Sequence, residues 1–212
     1  MPSSSDIEKY NKMYFYNAHG AVKLASGSGI FFQSIAKIRY EYIFQNSNLK
    51  EKSSINVLEI GPGYGHLATV VKEKSPVSKY YAVESDESCH HALDIIGVSL
   101  ISDLSNLKEK VDIIIMSHVL EHQADPLLFI LDYLPILRCG GLLFIDVPCM
   151  DFLHKTEPEP HTLFFNKKSM TKLVKLADLD LIDCNNFGIS ISSILDDKQN
   201  RFTSKFKTSE IT

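Results

Sequence analysis

The run Val57-Leu58-Glu59-Ile60-Gly61-Pro62-Gly63-Tyr64-Gly65 limits the fold more than any other part of this 212-residue chain. Ile55 to Ile60 reads as a buried strand that enters a glycine-rich turn, and a helix follows from His66. A strand, a turn and a helix in that order build a parallel α/β sheet, which binds ligands at the carboxyl ends of its strands where the strand order reverses. Gly61, Gly63 and Gly65 remove three Cβ atoms at that point, so the backbone can turn tightly and press against a ligand.

The spacing is G-x-G-x-G, and His66 stands where a dinucleotide fingerprint wants its third glycine. A pyrophosphate favours an uncharged turn facing a helix N-terminus. Glu59 instead puts a carboxylate just before the turn, which suits a ligand with a positive end, such as a sulfonium amino acid.

The rest of the chain alternates strands with helices. Helices are expected over 6–18 and 30–46, separated by the flexible stretch Ala25-Ser26-Gly27-Ser28-Gly29, and then over 66–74, 86–95, 122–137 and 167–177. Strands are expected over 79–83, 98–101, 111–116, 142–147 and 179–185. Val111 to Met116 is a continuous apolar run, the pattern of a central parallel strand buried on both faces. Cys139-Gly140-Gly141 reads as a turn, and 149–165 as a long loop. The alternation predicts a parallel, doubly wound sheet.

With 44% hydrophobic residues the chain can bury one sizeable core, so one domain with an N-terminal extension is expected. A net charge of −4 gives no electrostatic reason to expect nucleic acid. Cys89, Cys139, Cys149 and Cys184 are scattered and include no CxxC pair, which suggests free thiols in a reducing cytosol. No secretory signal and no apolar run near the roughly 20 residues of a membrane span is visible. A soluble cytoplasmic protein with no membrane partner is the expectation.

The run VLEIGPGYG, Glu84 ending the second strand, Asp103 after the third and DIIIMSHVLEHQADP after the fourth together resemble a class I S-adenosylmethionine-dependent methyltransferase. The segments LRCGGLLFIDVP and PHTLFFNKKSMTKLV are similar to the small-molecule group that includes quinone-ring and sugar methyltransferases. Cys139 departs from that pattern, standing where a proline usually precedes the two glycines. The resemblance implies a doubly wound, mostly parallel seven-stranded sheet of the Rossmann-like methyltransferase type, with Ile189 to Leu195 supplying a last strand. It divides the chain into a helical extension or lid over 1–46, a methyltransferase domain over 47–195 and a polar tail over 196–212, disordered or cut from a longer protein. A larger polypeptide or a homodimer is left open.

The same resemblance implies the roles of single residues. Gly61, Gly63 and Gly65 would pack beside the methionine part and ribose of S-adenosylmethionine, Glu59 would hold its ammonium group, and Glu84 would accept from the ribose hydroxyls. Asp103 would accept from the adenine amino group, unless it only caps a helix, and Leu104 would pack on the ring. Ser117 and His118 would line the sulfonium end. For His118, Glu121 and His122 three readings stand: structural polar contacts, His122 as general base toward a substrate hydroxyl, or a metal site built on His118 and His122 one helical turn apart with His161 as third ligand. No metal ligand is assigned. His161, in the loop after the fifth strand, is the second base candidate or a loop anchor. Tyr10, Tyr14, Phe15 and Tyr16 form an aromatic cluster, a lid or core packing.

The expected activity is methyl transfer to a small-molecule acceptor, first a hydroxyl of a sugar or phenol-like metabolite. A non-catalytic methyltransferase-fold scaffold and an NAD-dependent oxidoreductase are the alternatives.

Overall fold

The continuous apolar strands lie at the centre of a parallel sheet, because only a strand covered on both faces can be apolar on both. In the computed structural model, which describes Lys12 and residues 27–149 and 161–186, β1 (Ile55–Ile60) and β4 (Val111–Ser117) are those strands. β2 (Val77–Val83) and β3 (Ser99–Leu100) extend the sheet on one side and β5 (Leu137–Asp146) on the other, in the order β3-β2-β1-β4-β5. All four pairings are parallel. The order reverses between β1 and β4, so a ligand crevice is expected beyond Ile60 and Ser117.

Successive side chains of these strands serve opposite layers. On one face Val57, Ile113 and Ile115 pack with Tyr40, Ile43 and Phe44 of α1 (Gly27–Gln45) and Val70 and Val71 of α2 (His66–Lys74). On the other, Leu58, Ile114 and Met116 pack with Ile130 of α4 (Pro126–Tyr133) and Leu173 of α5 (Lys167–Leu176). A short α3 (His90–Ile95) follows β2 and buries Leu93 beside α2. Helix α1, placed in the N-terminal extension by the sequence reading, therefore contributes to the same core as β1.

Several elements differ from expectation. The single helix expected over 122–137 is a 3-10 turn over Leu120–His122, then α4, then a second 3-10 turn over Leu134–Ile136. Asp125 caps the amides of Leu127 and Leu128 at 3.0 Å each, with Pro126 in the first turn, so the helix starts there and no earlier. The Cys139-Gly140-Gly141 turn is part of β5, with Gly140 at φ 68°. The helix over 86–95 is divided into a 3-10 turn, Glu87–Cys89, and α3.

Five strands lie among the described residues, where seven were expected, and 179–185 joins no ladder there. Apart from Lys12, the helix over 6–18 with its aromatic cluster, the strand from Ile189 and the tail over 196–212 lie outside the described residues. No described helix is long and apolar enough to cross a membrane.

Candidate active site

The glycine turn sits at the switch point and is built as its sequence demands. Gly61, Gly63 and Gly65 take left-handed φ values of 68°, 55° and 75°, a region that side chains with a Cβ avoid. A Cβ on Gly61 would stand 2.9 Å from Val119 Cγ2, which follows β4. One on Gly65 would run into Ile96 and stand 2.9 Å from Leu93 Cδ2, so this glycine lets α2 approach the segment around α3. His66, in the first turn of α2, stacks on Phe32 of α1 with ring centroids 5.6 Å apart. Burial holds its pKa below the ordinary histidine value.

The acids around this turn are positioned by distinct partners. Glu84 accepts the Gly63 amide at 2.8 Å on Oε2 and the Asp86 amide at 2.8 Å on Oε1, and so ties the turn to the end of β2. Burial raises its pKa although both amides work to lower it. Each carboxylate oxygen keeps a second acceptor site for a ligand hydroxyl. Glu59 is 3% exposed and accepts the Tyr80 hydroxyl at 2.6 Å. Burial, strengthened by the Glu84 charge, pushes its pKa up to about 7 against the pull of Tyr80 and Arg39.

Asp103 is exposed and caps the turn Leu104–Asn106 by accepting from the Ser105 amide at 2.8 Å. That local bond holds its carboxyl below its usual range. Leu104 is half-buried against the core layer that contains Leu58 and Met116.

At the end of β4, Ser117 pairs with Asp146, and its hydroxyl is buried with no hydrogen-bond partner among the described residues. His118 takes φ 55°, a left-handed conformation in a non-glycine residue. The helix face that would have carried His118 and His122 together therefore does not exist. His118 projects half-exposed, with Nδ1 3.2 Å from Glu121 Oε1 and Nε2 4.0 Å from Asp146 Oδ2. Arg39 of α1 completes this row, its Nε and Nη2 lying 2.7 and 2.6 Å from the same Asp146 oxygen.

His122 pairs instead with His161, edge to face, with centroids 5.1 Å apart and both residues buried. The segment that carries His161 is clamped onto the 3-10 turn. The Thr162 and Leu163 amides donate to the Glu121 carbonyl at 2.9 and 3.1 Å, and the Thr162 hydroxyl adds a bond at 3.0 Å.

The structure thus gathers Glu59, the three glycines and Glu84 at one strand end and Ser117 and His118 at the neighbouring one. It brings His122 and His161 together and leaves Asp103 on an exposed turn. The sequence reading missed Arg39, Tyr80 and Asp146. Asp146 carried one usable signal, an acid ending a strand two residues before Pro148, whereas nothing local marks Arg39 as its partner or Tyr80 as the partner of Glu59.

A sheet of this order with a glycine turn and strand-end acids at the switch point defines a Rossmann-like methyltransferase fold. Residues 26–183 match the family described as a methyltransferase domain, and the chain belongs to that family. No curated protein matches it in sequence. Among solved structures it is similar to the [4+2]-cyclase SpnF, at 13% identity and TM-score 0.60 over 82% of this chain and 72% of that one. The plantazolicin methyltransferase BpumL, solved with a triazolic desmethylPZN analog and SAH, aligns at 15% identity and TM-score 0.57 over 81% of this chain and 75% of that one. A chain from the complex of the Haloferax volcanii Trm112 methyltransferase activator with a methyltransferase aligns at 14% and 0.52, covering 69% of this chain and 75% of that one.

Proposed function

We propose that the chain transfers a methyl group from S-adenosylmethionine to a hydroxyl of a small molecule. The observation that carries this reading is the Gly61–Gly65 turn, left-handed at all three glycines and braced by Glu84 where the strand order reverses. The methionine part and ribose would lie along the turn, with Glu59 toward the ammonium group, Glu84 toward the ribose hydroxyls, Asp103 and Leu104 toward the adenine, and Ser117 and His118 toward the sulfonium. The family match supports methyl transfer, and the BpumL complex with SAH supports the donor.

In the reaction the acceptor oxygen attacks the methyl carbon in line, the carbon–sulfur bond breaks, and neutral S-adenosylhomocysteine leaves. Because the sulfonium already carries the leaving charge, holding both reactants in a near-attack geometry supplies much of the rate. The hydroxyl proton must go to a base. His122 and His161, the buried pair beside the strand end, are the first candidates for that base. A second assignment, His118, is favoured by its exposure and by the carboxylate of Glu121 beside Nδ1, which would orient the ring.

Calorimetric titration with S-adenosylhomocysteine and, in parallel, NAD tests the donor site. Micromolar binding of the former alone is expected, weakened in Glu84→Ala. Binding of NAD alone would move the chain to the oxidoreductase reading, and binding of neither would make it a scaffold. Transfer of labelled methyl from S-adenosylmethionine to a panel of hydroxylated sugars and phenols then tests the acceptor.

A further inference from the structure

Glu121, His122 and His161 each offer one ligand atom, and these atoms all lie within 4.8 Å of one another in a fully buried cluster. Glu121 is 1% exposed, and neither of its carboxylate oxygens accepts a hydrogen bond among the described residues. His118 Nδ1, 3.2 Å from Oε1, offsets that charge only when protonated, and His118 is itself half-exposed. A buried carboxylate without hydrogen bonds is expensive, and the usual remedies are a paired charge or a metal.

We propose that Glu121, His122 and His161 form a binding site for a divalent transition metal ion, zinc first. Two imidazoles and one carboxylate form one of the ligand sets of catalytic zinc sites, which leave a fourth position open. Magnesium and calcium prefer oxygen-only sets, and none of the four cysteines belongs to the cluster.

The geometry asks little of the backbone. Tetrahedral bonds of about 2.1 Å need ligand atoms roughly 3.4 Å apart, so the present spacing closes by about 1.4 Å at most. Rotation of the two rings and the carboxylate covers that distance. The two backbone segments are already joined, since Glu121 O accepts from the Thr162 amide and hydroxyl and from the Leu163 amide. Metal binding is independent of methyl transfer.

Its consequence for catalysis rests on the function proposed above. A bound zinc would supply a Lewis acid able to lower the pKa of an acceptor hydroxyl in its open position. His122 and His161 would then act as ligands and not as bases.

The test is calorimetric titration of EDTA-treated, dialysed full-length protein with ZnCl2, with MgCl2 in a parallel arm. One zinc per chain with micromolar or tighter affinity is expected, and no comparable magnesium binding. His161→Ala should weaken zinc by more than the roughly 10–100-fold typical of losing an outer-shell partner. His161→Cys, which also changes the packing but still supplies a ligand, should retain zinc, and His91→Ala, exposed on α3 and outside the cluster, should leave the affinity within a few fold. Thermal melts of the zinc-free variants separate a folding defect from loss of the ion. Absence of stoichiometric zinc, or zinc that survives His161→Ala and leaves on exchange of Cys139 and Cys149 to serine, would overturn the proposal. Titration of the same samples with S-adenosylhomocysteine keeps a failed metal site distinct from a failed donor site.

Discussion

The Gly63 amide donates to Glu84 Oε2 at 2.8 Å, so the acid ending β2 holds the shape of the turn that follows β1. The same carboxylate is also the one expected to receive the ribose hydroxyls. One side chain therefore shapes the turn and, on the proposed function, would also contact the donor.

Glu84→Ala is expected to weaken S-adenosylhomocysteine by about tenfold to a hundredfold, because a hydrogen bond to a charged group contributes roughly 1.5–3 kcal/mol. It should also lower the thermal midpoint of the ligand-free protein, since the amides of Gly63 and Asp86 lose their acceptor. A variant that binds as tightly as the parent would remove Glu84 from the donor site.

Gly65→Ala should destabilise the fold by roughly 1–3 kcal/mol, the usual range for an overpacked site. The added methyl meets Ile96 and Leu93, and φ 75° adds backbone strain. Gly140→Ala is the control. It has a similar φ of 68° but no heavy atom within 4 Å of the added Cβ, so its loss in urea unfolding should be smaller.

On the proposed function, Glu59 would give the donor site a pH dependence. Its pKa is pushed up to about 7 in the ligand-free fold, above the ordinary glutamate value. An ammonium group beside it favours the ionised form, so binding releases a proton below pH 7. S-adenosylhomocysteine affinity should rise from about pH 5 to pH 7 and flatten above, with proton release visible as a buffer-dependent binding enthalpy. The stability of the ligand-free protein runs the other way. The protonated carboxyl is favoured in the fold, so stability falls as pH rises from the ordinary glutamate range through about 7. Glu59→Gln should abolish both trends.

At the opposite, amino-terminal end of β4, Asp112 is 1% exposed and sits 2.5 Å from Lys52 Nζ and 2.8 Å from Arg138 Nη1, and it accepts the Asn56 amide at 2.8 Å. Burial works to raise its pKa, but the amide and the two cations outweigh it and hold the carboxyl below its usual range. Asp112→Ala should cost about 1–3 kcal/mol, because the Asn56 amide is left without its acceptor while both cations reach water. The depressed pKa means that this stabilisation is present above the ordinary aspartate value and is lost as pH falls. Acid unfolding monitored by circular dichroism should therefore begin at higher pH in the parent than its neutral-pH stability alone implies, and Asp112→Asn should show less of that dependence.

The strands that read clearly from sequence are those whose burial makes a local pattern. β1 and β4 are apolar on successive residues because both sheet faces are covered, and the turn between β1 and α2 is visible because left-handed φ values select glycine. Helix 122–137 misread for an equally physical reason: its apolar period continues through Asp125-Pro126, but side-chain capping and the missing proline amide start a new helix there. The face expected to hold His118 and His122 disappears with the left-handed φ of His118, which no periodicity signals.

Sequence alone therefore determined the parallel sheet, its switch point and the acids at the strand ends, because burial period and turn chemistry act between near neighbours in the chain. Only the tertiary structure decided that Arg39 reaches Asp146, 107 positions away, that Tyr80 donates to Glu59, and that His161 meets His122 and Glu121. Those meetings depend on how helices and connecting segments lie over the sheet. The packing that sets their geometry is summed over the whole core and leaves no mark in the spacing of any one segment.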